Sequence, residues 1–169
     1  MKRVILALAL TLGLAGTATA QQKVGHINVD ELLAIMPETS TAEAEIQKYA
    51  EQLEGDLTEM QQEYTTKLQN AQANQGTWTQ LRLQKEGEEL QAMEQRMMAF
   101  NQSAQQELQR KQMDLMLPII EKAQNAVNKV AEDNGFAYIL DASPSKAIVI
   151  YLDGGDDVMP LVKAELGIK

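Results

Sequence analysis

Between Ile46 and Tyr64 the apolar side chains recur at alternating steps of four and three: Ile46, Ala50, Leu53, Leu57, Met60 and Tyr64. That spacing holds one stripe of a helix against a partner helix, so it defines a coiled-coil seam and excludes a strand, whose side chains alternate with a period of two. Heptad steps return at Leu83, Leu90, Met93, Met97, Phe100 and Ala104. Between the two runs the seam loses its register at Lys67 and Leu68. Asn74-Gln75-Gly76-Thr77 is the one break with turn chemistry, so the helix reverses there, with Thr77 read as the cap of the returning helix. The expectation is a long antiparallel helical hairpin with its tip near 74–77. At about 1.5 Å per residue, an outgoing helix of about thirty residues reaches about 50 Å.

The ends of this hairpin carry their own signals. Pro37 stops a short helix, DELLAIM, and Ser40 with Glu43 has the spacing of a capping box that starts the long one. On the way back, Leu108, Leu115, Ile119, Ala126 and Val130 follow an eleven-residue pitch, which relaxes a left-handed supercoil. Pro118 lies inside that run and is expected to kink the helix as a hinge. Asn134-Gly135 is a helix stop.

Outside the hairpin, three apolar stretches read as strands: KVGHINV (23 to 29), FAYILDA (136 to 142) and KAIVIYL (146 to 152). Ser143-Pro144-Ser145 joins the last two as a hairpin turn, and Asp156 or Asp157 caps a final helix that ends at Gly167. The fold class is therefore α+β: a coiled-coil arm, residues 38–134, on a three-stranded β body built from 21–37 and 135–169. Three short strands make a marginal sheet in water. Because Ile148 to Leu152 interleave no polar residue with the apolar ones, both faces of that sheet need cover. Helices cover one face, and copies of the same chain the other. Val24, Ile27, Val29, Tyr138, Leu140, Ile148 and Ile150 are the expected core of that assembly.

The first twenty residues read as a secretory leader, with basic Lys2 and Arg3, an apolar run from Val4 to Leu14, and Ala18-Thr19-Ala20 as the cleavage site. The run is about half of the roughly 20 residues that span a bilayer, so export and cleavage after Ala20 are expected rather than anchoring. Losing Lys2 and Arg3 takes the formal charge from -9 to -11. So acidic a chain is a poor match for nucleic acid, which needs clustered Lys and Arg. There is no cysteine, which excludes disulfides and thiolate metal sites.

No constellation of catalytic side chains stands out. Ser143-Pro144-Ser145-Lys146 fits the S-x-x-K of penicillin-recognising enzymes, but the accompanying S-D-N and K-T-G are missing, and a turn explains the stretch. His26 is the only histidine, which leaves no His-His pair for a metal. Asp153-Gly154-Gly155-Asp156-Asp157 lacks the twelve-residue calcium-loop spacing. Glu86, Glu88 and Glu89 read as a solvated face, and Asn101-Gln102-Ser103 is a formal glycosylation sequon in mid-helix. The chain reads as a non-enzyme with neither metal nor cofactor.

Six of the nine methionines fall on the two long helices. Met60, Met93 and Met97 belong to the seam. Met98, next to Met97, must face outward, and methionine suits surfaces that accept many apolar shapes. Tyr64, Trp78, Leu81, Leu83, Met93, Met98 and Phe100 are the expected contacts for an unfolded partner.

The pieces VGHINVDELLAIMPE, AVNKVAEDNGFAYILDAS, AIVIYL and GGDDVMPLVKAEL, in this order around a helical hairpin, resemble the Skp/OmpH family of periplasmic chaperones. The resemblance implies a homotrimer in which strands of three chains form a central barrel and three arms enclose a cavity. It also implies an ATP-independent holdase that keeps unfolded outer-membrane proteins soluble until insertion, close to a membrane surface. The well-known members have basic arms, whereas residues 38–117 here hold fourteen acidic side chains against seven basic ones. That departure argues against lipopolysaccharide binding and shifts client attraction towards apolar contact or basic clients. The alternative reading is a structural coiled-coil trimer, a spacer or adaptor at the cell envelope.

Overall fold

The computed structural model describes residues 22–168; the expected leader and its cleavage after Ala20 lie outside the described residues. Strand β1 (Lys23–Ile27) passes through Asn28 into helix α1 (Val29–Ile35). The Asn28 side chain accepts the Glu31 N–H at 3.1 Å, and Asp30 and Glu31 occupy the first turn, where the helix dipole favours negative charge. Val29, expected to end the strand, is thus the first helical residue. Pro37 does more than stop α1. It opens α2 (Pro37–Asn74) from the N1 position, where its missing N–H goes unused in any helix. The expected capping box at Ser40 and Glu43 therefore falls inside a helix already under way.

The chain turns at residues 75–79, and α3 (Gln80–Asn134) returns. Its cap is Thr79, two residues beyond the expected Thr77: the Thr79 hydroxyl accepts the Arg82 N–H at 3.4 Å. Thr77 instead donates its hydroxyl to the Asn74 carbonyl at 3.0 Å and so finishes the outgoing helix. Helix α3 continues without interruption through Pro118, the expected hinge. An interior proline costs a helix about 3 kcal/mol. Ile119, Ala123, Ala126 and Val130, buried just beyond it, offset that cost by packing on the body. Gly135, at φ 69°, ends the helix in the left-handed conformation that glycine reaches without strain.

Strand β2 (Phe136–Asp141) then lies parallel to β1, with Val24 opposite Tyr138 and His26 opposite Leu140. The whole helical hairpin is the crossover that a parallel pair requires. The third ladder position, on the other edge of β1, is taken by β3 (Asp156–Asp157) and not by 146–152. This corrects the expected strand and its hairpin: Ser143 to Lys146 form a turn, Ala147 sits at φ 48°, and residues 147–152 have no ladder partner among the described residues. β-propensity expresses a fit to neighbouring strands, and among the described residues Ile148 and Ile150 have none.

Helix α4 (Met159–Leu166) closes the body and ends at Gly167, φ 70°. The Asp157 carboxylate accepts the Met159 N–H at 2.9 Å. Ile27, Leu32, Met36, Val158 and Val162 are fully buried between the sheet and the three helix ends. Space there is tight. A Cβ on Gly25 would come within 2.8 Å of the Val158 side chain and 3.1 Å of the Phe136 ring, so only glycine lets these three meet.

Candidate functional site

Along the arm, Ile46, Ala50, Leu53, Leu57, Met60 and Tyr64 are half-buried against Leu83, Leu90, Met93, Met97, Phe100 and Ala104. The register does not break after Tyr64. Lys67, Ala71, Asn74 and Trp78 continue it at steps of three and four, all half-buried. Lys67 fills its seam position by extending its stem and placing the ammonium 2.8 Å from Glu89 and 3.3 Å from Glu86. The pull of Glu89, then of Glu86, against desolvation holds the lysine above its ordinary pKa, while Lys67 lowers Glu89. An apolar pattern alone does not show this position, because Lys67 is charged; its signal in the sequence is an acid on the opposing seam, Glu86.

Other polar clasps cross the seam. Tyr49 donates to Glu107 and Tyr64 to Glu94, each at 2.5 Å, and the hydrogen bond raises each phenol's pKa. Lys111 meets Glu45 at 3.2 Å, and Lys122 pairs with Glu38 at the base.

Of the residues expected to meet an unfolded partner, Leu81 (77% exposed) and Met98 (66%) point away from the seam. Tyr64, Trp78, Leu83, Met93 and Phe100 are half-buried within it. The Arg82 guanidinium lies 4.1 Å from the Trp78 ring centroid, a cation–π contact that covers part of the indole. A second apolar stripe was not anticipated: Met113, Leu117 and Ile120, spaced four and three, are exposed near the base of α3. Its signal was a second set of helical steps alongside the seam.

Between the two tyrosine clasps, one flank of the arm opens into a groove. A cavity of about 590 Å³ lies over Leu57, Met97 and Met98, with Gln61, Asn101 and Gln102 along it. It adjoins another of about 210 Å³ over Leu53, Phe100, Ala104 and Leu108, the two sharing Leu57, Asn101 and Gln105. Two of the residues lining the smaller cavity, Ala50 and Ala104, carry side chains of a single methyl group.

The body has its own uncovered surface. Val24, Tyr138 and Leu140 are exposed on the sheet face opposite Gly25 and Ile27, and Ile148 (67%), Ile150 (96%), Tyr151 and Leu152, in the segment that leads from β2 to β3, are exposed as well. Ile27, expected among the assembly residues, is only 1% exposed and belongs to the chain's own core, while Val29 is half-buried on α1.

Asp141 ties this surface to the core. Its Oδ1 accepts from the Val29 N–H (3.4 Å), the Ser143 N–H (3.0 Å) and the Ser143 hydroxyl (2.5 Å), and its Oδ2 pairs with Lys146 at 2.7 Å. Burial acts to raise the carboxyl, but Lys146 and the Ser143 donors outweigh it and hold the pKa down at about 2. Ser143 is buried, and its oxygen in turn accepts the Asp30 N–H at 3.1 Å; Ser145 donates to the Asp30 carboxylate. The S-x-x-K stretch thus caps α1: the Lys146 ammonium lies on Asp141 and the Ser143 hydroxyl proton points to the same carboxylate.

Comparison with known proteins is consistent across the chain. The family model OmpH, "Outer membrane protein (OmpH-like)", matches residues 23–166. The Chaperone protein Skp of Yersinia enterocolitica is 26% identical over 159 residues, covering 94% of each chain. A candidate outer membrane chaperone (OmpH-like) of Caulobacter crescentus CB15, a solved structure, superimposes with a TM-score of 0.73 at 17% identity, covering 89% of this chain and 88% of that one, and so shares its fold.

Proposed function

The chain belongs to the OmpH-like outer membrane protein family, and on that premise we propose that it is a periplasmic holdase, which keeps unfolded outer-membrane β-barrel proteins soluble without ATP. The observation that carries this reading is the apolar surface outside the seam, Leu81, Met98, Met113 and Leu117, spread along an arm of about 57 Å. Flexible thioethers and aliphatic chains scattered over such a length suit partners without a fixed shape. The Skp of Yersinia enterocolitica carries the name of a chaperone, which supports the same assignment.

In this proposal the leader, residues 1–20, directs export. Residues 21–37 and 135–169 form the assembly body, and 38–134 the arm, which leaves the body near Pro118. Three copies join through Val24, Tyr138, Leu140, Ile148 and Ile150, with Ile27 and Val29 supporting them from the core side. The uncovered sheet face and the unpaired stretch 147–152 favour a partner copy that supplies the missing strand contacts. Leu81 and Met98 meet the client first, and the half-buried edges of Tyr64, Trp78, Leu83, Met93 and Phe100 add contact. Acidic arms disfavour lipopolysaccharide.

The test is aggregation of a urea-unfolded barrel protein on dilution, with and without the purified chain. Light scattering should stay low at one trimer per client. An undiminished rise would end the holdase reading, and binding only to folded envelope proteins would point instead to a spacer.

A further inference from the structure

The groove on the arm flank has a feature that the general apolar surface lacks. Its floor is apolar, its walls are amides, and the charged residues along it, Glu54 and Glu94, are both acidic. Among the described residues neither meets a cation: Glu94 accepts from the Tyr64 hydroxyl, and the Glu54 carboxylate enters no ion pair. The helix that supplies Glu54 carries eight acidic side chains against two lysines. Arg96 lies on another flank, beside Glu63 and Met60.

We propose that this groove is a docking site for an extended client segment whose apolar residues alternate with Lys or Arg; the proposal rests on the holdase reading and assigns it a place and a sequence preference. From Glu94 to Leu108 the groove runs about 21 Å along α3, the span of about six residues of extended chain. In such a segment alternate side chains point the same way, so one set lies on Leu57, Phe100 and Ala104 while the other faces out. The amides of Gln61, Asn101, Gln102 and Gln105 can both donate and accept, which matches the unpaired N–H and C=O groups of an extended backbone. Outward Lys or Arg side chains reach back to Glu54 and Glu94, and outward Asp or Glu would meet the same carboxylates at a cost. Charge complementarity thus selects a basic, alternating segment over an acidic one.

The experiment uses the full chain and fluorescent twelve-residue peptides that alternate Val and Tyr with Lys, Gln or Glu, read by anisotropy. The Lys peptide should bind about tenfold more tightly than the Glu peptide at low salt, with Gln between, and the gap should shrink as salt screens it. Glu54→Lys should narrow or reverse the preference, and Met98→Gln, at an exposed position, should weaken all three about threefold. Equal binding of the Lys and Glu peptides, or indifference to Glu54→Lys, would overturn the proposal. So would a fall in oligomer mass for Met98→Gln, since the groove would then be holding another copy of this chain. If the peptides are not distinguished while barrel-protein aggregation is still suppressed, the groove assignment alone fails; if aggregation proceeds unchecked, the holdase reading fails first.

Discussion

The body and the arm solve the same packing problem differently. In the body, Ile27, Leu32, Met36, Val158 and Val162 lose essentially all contact with water, and Gly25 is required because no Cβ fits. Along the arm, no residue between 43 and 118 is buried; every seam side chain keeps part of its surface wet, and polar clasps cross where apolar contact is thin. Burial stabilises in proportion to area removed from water, so the folding free energy is concentrated in the body. The arm belongs at the low-stability end, where local opening is frequent, and that is where adaptable contact with an irregular partner is useful.

The sharpest way to break this contrast is a pair of truncations. Leu32→Ala should cost about 3 kcal/mol in denaturant unfolding, whereas Leu57→Ala should cost about 1 kcal/mol, because its cavity opens to solvent. Equal losses would mean that the arm is as well packed as the body. Next in size is the Asp141 capping cluster. Because its carboxyl is depressed to about 2 in the folded chain, the stabilisation it gives is complete above its unfolded value of about 4 and is lost as pH falls through 2. Asp141→Asn should remove most of that acid dependence and expose the Asp30 and Val29 N–H groups to faster hydrogen exchange. The smallest effect belongs to the clasps. Tyr64, raised above its ordinary value by Glu94, stabilises the seam below about pH 10 and ceases to do so as pH rises through the raised value. Tyr64→Phe should abolish that alkaline change in amide exchange around residues 90–97 while the midpoint of global unfolding stays where it was.

The features legible in the sequence are those that a short-range rule governs. The four-three spacing of Ile46 to Tyr64, the Gly135 and Gly167 helix ends and the outward direction of Met98 each follow from local geometry. Features that depend on a distant partner leave no such mark. Lys67 looked like a break because its acids, Glu86 and Glu89, come from the returning helix. Ile148 and Ile150 looked like a strand because their side chains favour one, yet the ladder beside β1 is filled by Asp156 and Asp157. The groove could not be read at all: its lining joins residues of both long helices, such as Leu57 with Met98 and Ala50 with Ala104, which come together only in the folded hairpin.

Periodicity and turn chemistry alone determined that this chain is a long helical hairpin between short β segments, because helix and turn preferences act over a few residues and leave a repeating mark. Which strand pairs with which, which apolar residues are spent on the core, and which stay uncovered were decided only by the tertiary fold. Pairing and burial depend on residues more than a hundred positions apart, such as Val29 and Asp141, and no local pattern records them.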